Sequence, residues 1–147
     1  MLYAQCPVPE DIHDGALESE RCARRFFAVH SRAGPKGMLD LVHPDIEMVL
    51  KTRRPGDVLR GRDEVAQFIE EIEESLYELV PEVYRPLDET RIVVEGRIRW
   101  TDDERVMRDD PVIWALEFRD GLIRRSAPAS SVIEAETMLT AARSSDD

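Results

Sequence analysis

The sequence predicts an α+β domain in which a bent antiparallel sheet is covered by helices, and three observations predict it. The first is a set of alternating stretches in the second half of the chain. Residues 92–100 place Ile92, Val94, Gly96, Ile98 and Trp100 on one side and Glu95, Arg97 and Arg99 on the other, the period of a half-buried strand. Residues 112–119 put Val112, Trp114, Leu116 and Phe118 on one face and turn back through Asp120-Gly121 into residues 122–126; such a pair suits the positive φ of a tight hairpin. The second observation is a pair of apolar stripes at helical spacing, in residues 17–30 and 62–80. The third is a short terminal helix announced by capping-box spacing. A bent sheet cannot bury its apolar face alone, so the helices must cover it.

Residues 1–12, with Pro7 and Pro9, read as an arm without a core of its own, so the expected organisation is an arm over 1–15, one domain over 16–143 and a frayed tail over 144–147. Asp14 is the expected N-cap of the first helix, whose stripe is Leu17, Cys22, Ala23, Phe26, Phe27 and His30. Gly34-Pro35 ends it and starts a short second helix over 36–42. His43-Pro44-Asp45 stops that helix. Residues 46–51 alternate again, with Ile46, Met48 and Leu50 together, and should join the sheet. A loop over 53–57 and an extended piece over 58–60 lead to the long helix 62–80, which carries Val65, Phe68, Ile69, Ile72, Leu76 and Leu79. Asp63 and Glu64 favour its first turn, and Pro81 ends it. Glu70, Glu71, Glu73, Glu74 and Glu78 form its solvated face. Residues 83–87 are a strand that Pro86 assigns to an edge or a bulge, and 88–90 turn it into strand 92–100. Ser131 and Glu134 then open the terminal helix, residues 132–143.

Composition excludes several classes of function. The chain has 147 residues, enough for one domain burying roughly 70% of its unfolded surface. It is 42% hydrophobic and 35% charged, and no apolar run approaches the roughly 18 to 20 residues that cross a bilayer. The first nine residues lack the basic start and apolar core of a secretory signal, so a cytoplasmic location is expected. A formal net charge of -11 argues against nucleic acid or an anionic membrane as partner, because phosphate binding needs concentrated basic surface. The basic cluster Lys51, Arg53, Arg54, Arg60 and Arg62 is either a solvated loop or a receiver for an anionic group. Cys6 and Cys22 are too few for a disulfide framework. Neither stands in metal-ligand spacing with His13, His30 or His43, so no metal and no cofactor are expected.

The order helix, short helix, strand, loop, long helix, four strands resembles the nuclear transport factor 2-like superfold. Three segments are similar to its SnoaL-like branch: His43-Pro44-Asp45-Ile46-Glu47 before a strand, Leu59-Arg60-Gly61-Arg62-Asp63-Glu64-Val65 entering a helix, and Phe118-Arg119-Asp120-Gly121-Leu122-Ile123 near the end. The resemblance spans residues 16–142. It implies a cone-shaped α+β roll of the cystatin-like kind, a pocket between sheet and helices, and a homodimer formed through the sheet.

That fold serves isomerases, epoxide hydrolases, polyketide cyclases, binders and plain dimerisation modules, so function must come from the site. The resemblance places the steroid-isomerase oxyanion donors and base at Phe26, Trp114 and about Leu50. None of these can do that work. The epoxide-hydrolase set falls on Arg97, Arg99 and the neighbourhood of Pro128, without its acids. A one-residue change of register would instead present Glu95 and Arg97 to the pocket; the alternative is a charged ladder of Glu95, Arg97, Glu117, Arg119 and Arg125 on the face away from it. His30, one turn beyond Phe26, is the histidine placed to act as a base, as SnoaL-type cyclases require, or else to be a hydrogen-bonded core residue. His43 serves the turn before Pro44, and Tyr77 and Tyr84 offer hydroxyls or plain aromatic packing. The leading expectation is therefore a pocket lined by Phe26, His30, Leu50, Phe68, Trp100 and Trp114 that takes a small hydrophobic molecule. Any catalysis there would be cofactor-free, on a carbonyl compound, with His30 as base and Tyr84 or Arg97 as oxyanion partner. The rival expectation is a dimerisation or partner-binding module whose pocket is filled by its own side chains.

Overall fold

The computed structural model describes residues 16–50, 57–72, 76–102 and 104–146. The expected arm lies outside them, as do Asp14, Lys51, Arg53 and Arg54 of the predicted cap and basic cluster. In chain order the elements are α1 (Glu18–Ala33), a 3-10 helix (Pro35–Leu41), β1 (Val42–Val49), β2 (Val58–Arg60), α2 (Gly61–Glu71), β3 (Tyr77–Pro86), β4 (Arg91–Thr101), β5 (Met107–Arg119), β6 (Leu122–Ala129) and α3 (Val132–Asp146). The six strands form one sheet in the order β2-β1-β6-β5-β4-β3. All neighbours pair antiparallel except β1 and β6, which are parallel. This is the predicted fold class: a curved sheet wrapped on helices.

Both faces of the sheet are covered, but unequally. Ile92 and Val94 of β4 join Leu116 and Phe118 of β5 in a core with Phe26 and Phe27 of α1 and Val65, Phe68 and Ile69 of α2. Val93, between them in sequence, points the other way into a smaller cluster with Ala115 and with Ala135 and Leu139 of α3. Period-2 alternation explains the split, since adjacent side chains leave opposite faces. The predicted inward face of β4 is therefore the inward face observed.

Several boundaries differ from the sequence reading: β1 starts at Val42, before residue 46, and β6 runs on to Ala129, past residue 126, and three further differences have clear physical reasons. The helix predicted over 62–80 ends at Glu71, and Tyr77 begins β3. Leu76 and Leu79 fit a helical stripe after Ile72, but Tyr77 and Leu79 also fit a strand. Pairing of Tyr77 with Trp100 and Leu79 with Ile98 gives them a full ladder and an apolar face to bury, which a free helix end does not. Pro81 consequently ends no helix; it lies opposite Gly96, beside a bulge before Val83. Glu78 leaves the predicted helical face and meets Arg99 at 3.5 Å. Second, half of residues 101–110, the polar interval between the two alternating stretches, is strand, with β4 running to Thr101 and β5 starting at Met107. Asp102 makes the hairpin there by accepting the N–H groups of Glu104 and Val106, each at 2.9 Å. Third, α3 continues to Asp146, past the predicted end at residue 143. Its start is as expected, with the Glu134 N–H donating to Ser131 Oγ at 3.0 Å.

β3 is an edge strand, as Pro86 foretold, and it closes tightly on β4. A Cβ added at Gly96 would stand 2.1 Å from the Val80 carbonyl oxygen and 2.9 Å from Pro81 Cα. Both are backbone atoms that cannot rotate away. Gly96→Ala is therefore expected to push β3 off β4 and to destabilise the fold by about 3 kcal/mol, read as a lower urea midpoint. An unchanged midpoint would mean that the two strands do not approach this closely.

Candidate functional site

A narrow apolar cavity of about 30 Å³ lies between the sheet and the helices. α1 contributes Phe26 and Phe27, the 3-10 helix Met38, and α2 Phe68. The sheet supplies Met48, Tyr77, Leu79, Trp114, Leu116 and Ser126, and Leu50, just past the end of β1, completes the lining. The rings interlock, with Phe27 centred 5.3 Å from Phe26 and 5.0 Å from Trp114, and Phe68 5.6 Å from Tyr77. Such edge-on and tilted contacts suit aromatic quadrupoles. The side chains on this wall that carry polar groups are Tyr77 with its phenol, Ser126 with its hydroxyl and Trp114 with its indole N–H.

Of the residues expected to line the pocket, Phe26, Leu50, Phe68 and Trp114 do. Trp100 does not. It faces inward at the far end of β4 but donates its indole N–H to Asp110 at 3.0 Å, a partner the sequence reading did not consider. His30 is not on the cavity wall either. It is 3% exposed, and its Nε2 is buried without a hydrogen-bond partner among the described residues. Burial lowers its pKa from 6.5 to about 4, because the charged imidazolium cannot be solvated there. The candidate catalytic set is not assembled. Glu95 pairs with Arg85 and Arg97 with Asp109 on the outer face, sharing the side of Val93, not that of the cavity. Arg99 also approaches Asp109, at 3.6 Å, while Glu117 lies 3.5 Å from Arg125. The outer face is thus a charged ladder with rungs partly different from those expected. Tyr84 stands apart at the edge of β3, its ring 4.2 Å from the Arg24 guanidinium. Burial, opposed by that cation, raises its pKa to about 12.

The wall residues missed from sequence were in part readable. Met48 shares the face of Leu50, and Leu116 that of Trp114, whereas Tyr77 and Leu79 were hidden by the helix assignment. His43, expected in a turn, lies in β1 beside the irregularity between Val42 and Glu47, its Nδ1 accepting the Asp45 N–H at 3.0 Å. Among the described residues no group of three or more His, Cys, Asp or Glu is placed to hold a metal ion, and no helix is long and apolar enough to cross a membrane.

A profile of the SnoaL-like domain matches residues 23–126. The chain belongs to the SnoaL-like family. Solved structures place this SnoaL-like chain in the wider nuclear transport factor 2-like fold. An NTF2-like protein of unknown function from Burkholderia pseudomallei shares 20% identity over 84% of this chain and 95% of its own, with a TM-score of 0.63. The Delta 5-3-ketosteroid isomerase from a Mycobacterium species shares 17% over 80% and 96%, with a TM-score of 0.65. A Mycobacterium tuberculosis protein in complex with estradiol-17beta-hemisuccinate shares 13% over 80% and 97%, with a TM-score of 0.66. At these identities the likeness shows the fold alone. No curated protein matches the chain.

The buried imidazole has a measurable consequence. The unfolded chain takes up a proton near pH 6.5, whereas the folded one resists until about pH 4. Stability from this group is therefore complete above pH 6.5 and declines as the pH falls toward 4, by about 3 kcal/mol across the window. Chemical denaturation from pH 7 to 4 should show a shallower loss in His30→Phe than in the wild type. Parallel curves would place His30 in water.

Proposed function

We propose that this SnoaL-like chain binds a small, mostly hydrophobic molecule in its cone and does not act on it by acid-base catalysis. The observation that supports this best is the make-up of the cavity wall, which presents aromatic, aliphatic and thioether surface and neither a carboxylate nor an imidazole. The resemblance assigns steroid-isomerase chemistry to Phe26, Trp114 and about Leu50. All three lie on that wall, and none can take a proton from carbon. Sites of this composition suit apolar ligands fixed by one or two polar contacts. That the fold is shared with a protein described in complex with a steroid ester agrees with the reading without deciding it.

At about 30 Å³ the cavity has room for a water or two, so a ligand must displace side chains. Met38 and Met48 are suited to that, being unbranched and soft. The same small volume favours a second reading, in which the interior is filled for good and the chain serves as a dimerisation or partner-binding module. A homodimer through the sheet belongs to either proposal. It would use the part of the outer face that α3 leaves open.

Native mass spectrometry of freshly purified protein, followed by solvent extraction, separates the two. The binding reading expects discrete excess mass on the folded chain and one released apolar compound. A chain with no added mass that also takes up no neutral apolar dye would sink it and leave the second.

A further inference from the structure

Beside the cavity, and outside it, α1 and the edge strand β3 diverge to leave a groove of about 340 Å³. Arg24, Phe27, Ala28 and Ser31 line it from the helix, and residues 78–81 with Tyr84 line it from the strand. Phe27 and Leu79 belong to both spaces, so these two side chains are the wall between groove and cavity. They are not equally fixed. Phe27 is 3% exposed and wedged among the rings of Phe26, Tyr84 and Trp114. Leu79 is half-buried on a strand paired on one side, two residues from the prolyl position at which its ladder with β4 bulges. Edge segments with few bonds open most easily.

The groove also carries hydrogen-bond donors to spare. Arg24 commits Nε to Glu20 at 2.9 Å, leaving its Nη groups without a partner among the described residues. The Tyr84 hydroxyl is likewise unpartnered among them and stays protonated well above neutral pH. An arginine and a phenol beside an apolar wall ask for an oxygen acceptor. A neutral carbonyl fits better than a carboxylate, because Glu20 already matches the charge of Arg24 and Glu78 stands at the rim.

We propose that the α1–β3 groove is the polar end of the binding site. The apolar body of the ligand passes Leu79 into the cone, and a ketone, quinone or lactone oxygen stays outside to accept from Arg24 and Tyr84. This rests on the binding reading above, and it names both the ligand class and the way in. Leu79 swings while Phe27 holds the opposite wall.

The test uses the whole chain and two fluorescent probes, the aromatic ketone 6-propionyl-2-dimethylaminonaphthalene and its carbonyl-free parent 2-dimethylaminonaphthalene. Tyr84→Phe keeps the ring packed on Phe27, so folding is preserved, and it should weaken the ketone about tenfold while leaving the parent unchanged. Ala28→Trp fills the groove from the helix side and should slow association of the ketone about tenfold or more, whereas Ile133→Trp, on the exposed side of α3 and outside both spaces, should not. Equal effects of Tyr84→Phe on both probes, or an association rate for the ketone that Ala28→Trp leaves unchanged, would overturn the groove assignment with binding intact. Failure of the wild type to take up either probe would remove the binding reading itself, and the groove assignment with it.

Discussion

The pairing of Arg91 with Asp88 holds the layers of this protein in place. Arg91 is a cation at 6% exposure, a position that charge tolerates only when its donors are met. Nε and Nη2 go to the Asp88 carboxylate, and Nη1 donates to the Leu139 carbonyl of α3 at 3.2 Å. Asp88 in turn accepts the N–H groups of Thr90 and Arg91 through Oδ1. Burial alone would raise its pKa, but these hydrogen bonds outweigh that cost and hold the carboxyl at about 2. The backbone oxygen of the same residue accepts from the buried Ser19 hydroxyl of α1 at 2.6 Å. One turn therefore ties the inner helix, the outer helix and the start of β4 together.

Much of this fold could be read from sequence because its central strands alternate strongly. Ile92 and Val94 against Glu95 and Arg97 leave one sensible inward face, and the hairpin at Asp120-Gly121, with φ of 55° and 78°, follows from residue type. The failures have a common cause: local pattern was ambiguous where a long-range partner decided. Leu76 and Leu79 continue the helical spacing of α2, yet β4 offers them a ladder. Residues 107–110 look like a loop until Arg99 appears opposite Asp109, with Arg97 and Trp100 bonded diagonally to Asp109 and Asp110. At the site the large apolar residues of regular elements were placed well. Trp100 and His30 were not, since neither an indole's partner nor the depth of a side chain below a cavity wall is written in periodicity.

Phe26, Leu50 and Trp114 occupy wall positions in the cavity, so its surface is mainly apolar. The polar groups near the interior are Tyr77, Ser126 and the Trp114 indole N–H and, across the Phe27–Leu79 wall, Tyr84 and Arg24. Selectivity in such a site comes from shape and from a few hydrogen bonds at one end.

α3 lies along the outer face over Val93 and Ala115 and leaves the far ends of β3, β4 and β5 uncovered. There Leu76, Thr101 and Met107 form a row across the three strands, the Thr101 N–H donating to the Leu76 carbonyl at 3.1 Å, with Met107 71% exposed. The residues directly behind that row and the next are Tyr77 and Leu79, which face the cavity. A strand is one residue thick, so whatever rests on this outer row bears directly on the reverse side of the cavity wall.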